Sequence, residues 1–334
     1  MGEIKNPGQV EMVQNEGIFK SLTNQLDRVF RHANQGGHNT RESYEACLRR
    51  FCAHLADDYR LQSLKNFDAK HVFSYADGMV ERGLSTSSMY KEIDAIRYLD
   101  RQLPGHRHVP EIDDIRQYLA EKGEHMENRQ TEAVERAWSP TELERALNLA
   151  VQKANWWKVE QFLKVDQHLG FRIGGFVRTT VEQVKEALRD GVFHVRRGQE
   201  KHGRPRDIPL TPEARQVLEG WLKVASANGV RNGYIVVDHR KRETMKSVSK
   251  SIQNWLYRYR DAFQDKDRGK GEKRANLTAH GVRHHYTQNT LGENVEKYDN
   301  IRDARRATSQ AIGHNRDQIL DTYTVGSPLH KVRS

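Results

Sequence analysis

The chain has 334 residues, a formal net charge of +10 and a pI near 9.5. With 36% hydrophobic and 30% charged residues it is too polar for a membrane-embedded protein and too apolar for a disordered one, and its length suits two ordinary domains. A basic excess of this size favours a polyanionic partner, of which nucleic acid is the simplest. Cys47 and Cys52 form neither a disulfide framework nor a four-ligand metal site, which fits a reducing cytoplasm. The N-terminus has no apolar leader, so a soluble, cytoplasmic protein is expected, with no membrane partner.

Residues 1–14 are polar and read as a flexible N-terminus. From Ile18, apolar positions recur at helical spacing through Phe19, Leu22, Leu26, Val29 and Phe30. Thr40 is placed as the cap of a second helix carrying Tyr44, Leu48, Phe51 and Leu55. A third helix is expected from Asp68 to Arg82, ended by Gly83. A fourth starts near Ser85–Ser88 and carries Tyr90, Ile93, Ile96, Leu99 and Leu103; a short fifth spans Ile112 to Lys122. Residues 15–124 thus read as an all-α domain, and the charged, apolar-poor stretch at 125–137 as a linker.

The second domain, 138–334, opens on Trp138-Ser139-Pro140-Thr141-Glu142, where Ser139 caps, Pro140 suits the first helical position and Glu142 completes a capping box. Helices are expected at 140–153 and 155–169, followed by the turn LGFRIGG around Arg172. VFHV at 192–195 and DIPL at 207–210 flank the basic run RRGQEKHGRPR and read as a hairpin. A helix follows Thr211-Pro212, then a short apolar run at 234–237, a helix over about 247–263 and a charged loop at 264–276. Tyr286 and Tyr298 read as core or interface residues.

The last segment reads LTAHGVRHHYTQNTL, a charged spacer, then AIGHNRDQILDTYTV. It carries His280 and Arg283 three apart, then Gly313-His314, then Tyr323. Residues three apart share a helix face, so an imidazole and a guanidinium converge there. His280, His284 and His285 also allow a zinc reading, but position 281 is Gly where a metalloprotease helix carries Glu.

H-x-x-R, then G-H, then Tyr resembles the C-terminal box of the tyrosine recombinases, the phage-type integrase family. Arg172 in LGFRIGG is similar to that family's first arginine, and Lys201 in K-x-G-x-x-R-x-x-P-L to its hairpin lysine. T-x-x-S-Y at 40–44 and STSSMY leading into IxxIRY resemble its helical core-binding domain. The resemblance implies a mainly α fold with a small β-hairpin, an all-α core-binding domain preceding an α+β catalytic domain. It implies catalytic roles for Arg172, Lys201, His280, Arg283, His314 and Tyr323, with neither cofactor nor metal. Tyr323 would be the nucleophile, the arginines and His314 would bind the scissile phosphate, and Lys201 would protonate the leaving oxygen. One of His284 and His285 would pack beneath the site. The family usually carries an acid three positions after its first arginine, where this chain has Gly175.

The implied activity is site-specific DNA recombination through a 3′-phosphotyrosyl bond, for integration or excision of a mobile element. Partners would be double-stranded DNA bearing recombination sites, three further copies of the chain in a tetramer, and accessory DNA-bending or directionality proteins. The enzyme would sit at the nucleoid, and its C-terminal tail would dock on a neighbouring protomer. An arm-binding domain of the lambda-integrase type is not expected ahead of Thr40. Two other readings remain open. One is a type IB topoisomerase or telomere resolvase with the same chemistry; the other is a non-catalytic DNA-binding relative.

Overall fold

The computed structural model describes residues 13–32, 38–105, 108–126, 134–200, 205–268, 270, 275–314 and 316–331. Residues 1–12 of the expected loose N-terminus, 127–133 of the expected linker and the candidate Lys201 lie outside them. The chain divides into two units, residues 1–130 and 131–334.

Apolar periodicity builds the first unit. α1 (Glu16–His32) and α2 (His38–Asp57) share one core with α3 (Ala69–Glu81), α4 (Thr86–Gln102) and α5 (Ile112–Glu121). Leu22, Leu26, Phe51, Leu55, Met79, Ile93 and Leu99 are fully enclosed in it. Gly83 takes φ 65° just past α3, where a side chain would be strained. Ser85 caps α4 by accepting from Ser88 N at 3.4 Å. Thr40 is not a cap: α2 already begins at His38, so the helix entry lies upstream of the threonine. Burial pushes the Cys47 and Cys52 thiols up to about 11 and about 12, which leaves both inert.

In the second unit α6 (Pro140–Ala150) starts at the expected capping box. Ser139 Oγ accepts from Glu142 N at 3.2 Å, and Glu142 Oε2 accepts from Ser139 N at 2.9 Å. Glu142 is fully buried because it also accepts from Asp265 N at 3.0 Å and from Arg268 Nε and Nη2 at 2.8 and 2.9 Å. Four donors compensate the cost of burying that carboxylate.

α7 (Trp157–Leu169) packs against α6, against α10 (Pro212–Ala227) and against α12 (Ala279–Lys297). Phe176 of α8 (Ile173–Val177) stacks on Trp221 of α10 at 5.0 Å. α9 (Val181–Asp190), capped by Thr180 Oγ1 at 3.2 Å from Gln183 N, stands where no helix was expected. The hairpin strands β1 (Val192–Val195) and β2 (Arg206–Pro209) pair antiparallel, Phe193 opposite Ile208. α11 (Met245–Phe263), α13 (Ile301–Ala311) and α14 (Ile319–Tyr323) complete the order. Tyr286 is buried, but Tyr298 lies at the C-terminal end of α12 with its side chain exposed, so it is no core residue. No helix among the described residues is long and apolar enough to cross a membrane.

Candidate active site

The turn LGFR is shaped by a glycine. α7 ends at Gly170, which has φ 55° and accepts the tightest packing in the site. A Cβ there would sit 2.0 Å from the Tyr286 ring, so only glycine fits on both counts. The turn delivers Arg172 to the N-cap position of α8, where its carbonyl accepts from Gly175 N at 2.6 Å and Phe176 N at 3.3 Å. Its Nη2 donates to His314 Nε2 at 2.8 Å, and its Nη1 lies 3.3 Å from Glu200 Oε2. A guanidinium can only donate, so His314 accepts at Nε2, and its ring is neutral with the proton on Nδ1.

α12 presents His280, Arg283 and His284 to one side at helical spacing. Arg283 is completely buried. Its Nε donates to the Tyr323 hydroxyl at 3.2 Å, and its Nη atoms donate to the carbonyls of Gly170 and Ile312. Tyr323, at the end of α14, is only 4% exposed. Its ring lies 4.5 Å from that of His284, 5.8 Å from His280 and 6.2 Å from His314. Arg172, His280, Arg283, His314 and Tyr323 are therefore brought together around one phenol, with His284 packed against it.

His285 turns away: its Nδ1 meets the Trp138 carbonyl at 2.8 Å and its Nε2 meets Asn289 at 3.0 Å. The three histidines do not converge. Gly281 has its own reason, since a Cβ there would lie 2.4 Å from the Arg136 carbonyl and 2.8 Å from the Trp138 ring. The glutamate that a zinc helix would need at 281 has no room.

Burial pushes His284 down to about 3, with His280 and Arg136 adding to it. His280 is held down to about 4 by its crowded surroundings and by the Arg283 and Arg172 guanidiniums. It keeps an exposed edge, so the two cations are the firmer cause. Both imidazoles are neutral at pH 7, which leaves each a nitrogen lone pair.

Sequence reasoning assigned no role to three further residues. Glu200 is buried and accepts from Arg172 N at 2.7 Å. Burial alone would raise its carboxyl, but Arg206, Arg283 and Arg172 hold it below the usual carboxylate range. Arg206 is buried too; it donates to the carbonyls of Leu169 at 3.3 Å, Gly170 at 3.1 Å and Ala311. Asp166, on α7, is wholly enclosed, and burial raises its carboxyl well above the usual range despite Arg283. One signal pointed to Glu200: it is the only acid in the run from Arg196 to Arg206.

Beside Arg172 and His280 lies an open groove of about 470 Å³, lined on the α11 side by Gln253, Asn254, Tyr257 and Arg260. Tyr257 is 73% exposed there, a large aromatic facing solvent.

A sequence model of the phage integrase family matches residues 138–327, and one of the phage integrase N-terminal SAM-like domain matches residues 24–103. No curated protein matches the chain by sequence. Among solved structures, the Tn1549 transposon integrase in complex with transposon right end DNA is 14% identical. That match covers 91% of this chain and 94% of that one with a TM-score of 0.60. A lambda integrase tetramer bound to a Holliday junction is 15% identical over 90% of this chain and 76% of that one, TM-score 0.60. The XerH site-specific recombinase bound to a palindromic difH substrate is 16% identical over 96% and 88%, TM-score 0.59. At these identities the likeness is one of fold.

Proposed function

The chain belongs to the phage integrase family, and from that premise we propose that it is a tyrosine-type, site-specific DNA recombinase. The observation that carries the proposal is the convergence of two arginines and three histidines on the Tyr323 phenol.

A free phenol has a pKa of about 10, so it attacks only where its proton has an acceptor and the phosphate's charge is matched. Neutral His280 can take that proton. The Tyr323 oxygen then forms a bond to the scissile phosphorus, and the bond to the 5′-oxygen breaks. Arg172 and Arg283 bind the non-bridging oxygens, where charge concentrates in the transition state. Lys201, on the β1–β2 hairpin, gives a proton to the departing 5′-oxygen. The energy of the broken bond is kept in the 3′-phosphotyrosyl link, and a 5′-hydroxyl of another strand reverses the step.

In the resting arrangement Tyr323 is buried over Arg283. Attack therefore requires α14 to carry the phenol out of its seat, which also uncovers the Arg283 Nε. The tail after Tyr323 packs on the chain itself, with Leu329 against the cluster holding Tyr286, Leu291 and Tyr323. Moving it onto a neighbouring protomer would free α14. A tetramer on paired DNA sites, service to a mobile element and residence at the nucleoid complete the proposal.

The test is covalent trapping. Wild type and Tyr323→Phe are incubated without added metal with fragmented DNA of the source genome, denatured in detergent, and protein-linked DNA is captured and sequenced. Adducts with wild type alone, at a recurring junction, are expected. Adducts that persist in the Phe variant would overturn Tyr323 as nucleophile.

A further inference from the structure

The Glu200 carboxylate lies among three guanidiniums. Oε1 accepts from Arg172 N at 2.7 Å and lies 3.4 Å from Arg206 Nη2; Oε2 lies 3.3 Å from Arg172 Nη1 and 3.8 Å from Arg283 Nη1. Like charges packed this closely repel where water is scarce, and the one carboxylate among them offsets part of that repulsion.

Its position explains a glycine. A Cβ at Gly175 would lie 2.9 Å from Glu200 Cγ, 2.9 Å from Oε1 and 3.3 Å from Cδ. Gly175 sits inside α8 with an ordinary helical backbone, so nothing in its own conformation demands glycine. The Glu200 side chain fills the volume that a side chain at 175 would take. The neighbouring residue fastens the same stretch. Gln199 donates to the Gly175 carbonyl at 3.3 Å and to Thr179 Oγ1 at 3.2 Å, and it accepts from Gln183 at 2.8 Å.

We propose that Glu200 is the positioning residue for Arg172, supplied by the β1–β2 hairpin into space left open by Gly175. This rests on the recombinase reading above. Misplacement of a phosphate-binding group by about 1 Å can cost about 100-fold in rate.

An exchange of carboxylates tests it. Glu200→Ala and Gly175→Asp are made singly and together, with Glu200→Gln as the neutral isostere. Each single variant is expected to melt about 10 °C below wild type, one for lack of a counter-ion and the other by collision. The pair recovers most of that, because the carboxylate introduced at position 175 would then stand where that of Glu200 stood. In the trapping assay Glu200→Ala and Glu200→Gln lose adduct formation about 100-fold at saturating DNA, with retention of DNA in a gel shift unchanged. The double variant regains at least part of the rate. Melting losses that simply add in the double variant would overturn the shared site. Restored melting with no regained rate would overturn the positioning role. Coupled melting together with a wild type that never forms adducts would leave the exchange standing and remove the recombinase reading instead.

Discussion

Acid should destabilise the second unit through His284. The ring is 1% exposed, and burial pushes it down to about 3, against about 6.5 in an unfolded chain. Above pH 6.5 neither state binds the proton and stability is complete. Below it the unfolded chain takes up a proton that the fold refuses, so stability falls as pH falls, down to about pH 3. The slope is about 1.4 kcal/mol per pH unit, which makes the whole interval worth on the order of 5 kcal/mol and the loss at pH 4.5 about 3 kcal/mol. For a unit of about 200 residues that is roughly 5–10 °C in Tm. His284→Phe keeps a ring against Tyr323 but cannot titrate. At pH 7 it should be less stable by about 1 kcal/mol, the worth of a lost hydrogen bond. By pH 4.5 the order should reverse, the variant leading by about 2 kcal/mol. All five tryptophans, Trp138, Trp156, Trp157, Trp221 and Trp255, lie in the second unit, so their fluorescence reads that unit alone. Urea or thermal titrations at pH 7, 6, 5 and 4.5 decide the matter. Parallel stability curves for wild type and variant would show that His284 is not held neutral, and the electrostatic account of the site would fall with them.

Three further outcomes follow from the packing. Asp166→Asn should cost less than about 3 kcal/mol in urea unfolding at pH 7, because burial favours the neutral form of that carboxyl; a larger loss would mean it is an ion pair. Glu142→Gln should cost about 3 kcal/mol in the same tryptophan-detected unfolding, since it leaves Arg268 without its buried counter-ion; no loss would mean the capping box alone matters. Gly170→Ala should cost about 3 kcal/mol or more, from the left-handed backbone and the displaced Tyr286 ring together, and a melting curve matching wild type would contradict the packing of the LGFR turn.

Much of this fold was legible because its signals are local. Apolar spacing marked α1 to α5, Ser139 and Glu142 marked the start of α6, and VFHV and DIPL marked the hairpin. α9 was missed although its ten residues, VEQVKEALRD, carry Val181, Val184, Ala187 and Leu188 at helical spacing between Thr180 and Gly191; the run is short and leads straight into a strand. In the site, residue types in order pointed to Arg172, His280, Arg283, His314 and Tyr323, and these meet in space. Lys201 lies outside the described residues. Glu200 was overlooked for a physical reason: its partner positions, 172, 175 and 206, are joined only by the fold, and no spacing rule connects a hairpin to the turn it leans on. The burial of Tyr323 was equally invisible, since a sequence lists a tyrosine without saying whether it is sheathed.

Arg283 draws together Gly170, Ile312 and Tyr323, which lie 113, 29 and 40 residues from it along the chain. One cation thus latches the end of α7, the end of α13 and the end of α14. This cluster has no existence apart from the finished fold. A chain that is misfolded or clipped loses that latch and the three helix ends it holds together. On the proposed function, surveys that score variants by activity alone will count Arg283 as chemistry, whereas measurements of abundance will count it as architecture.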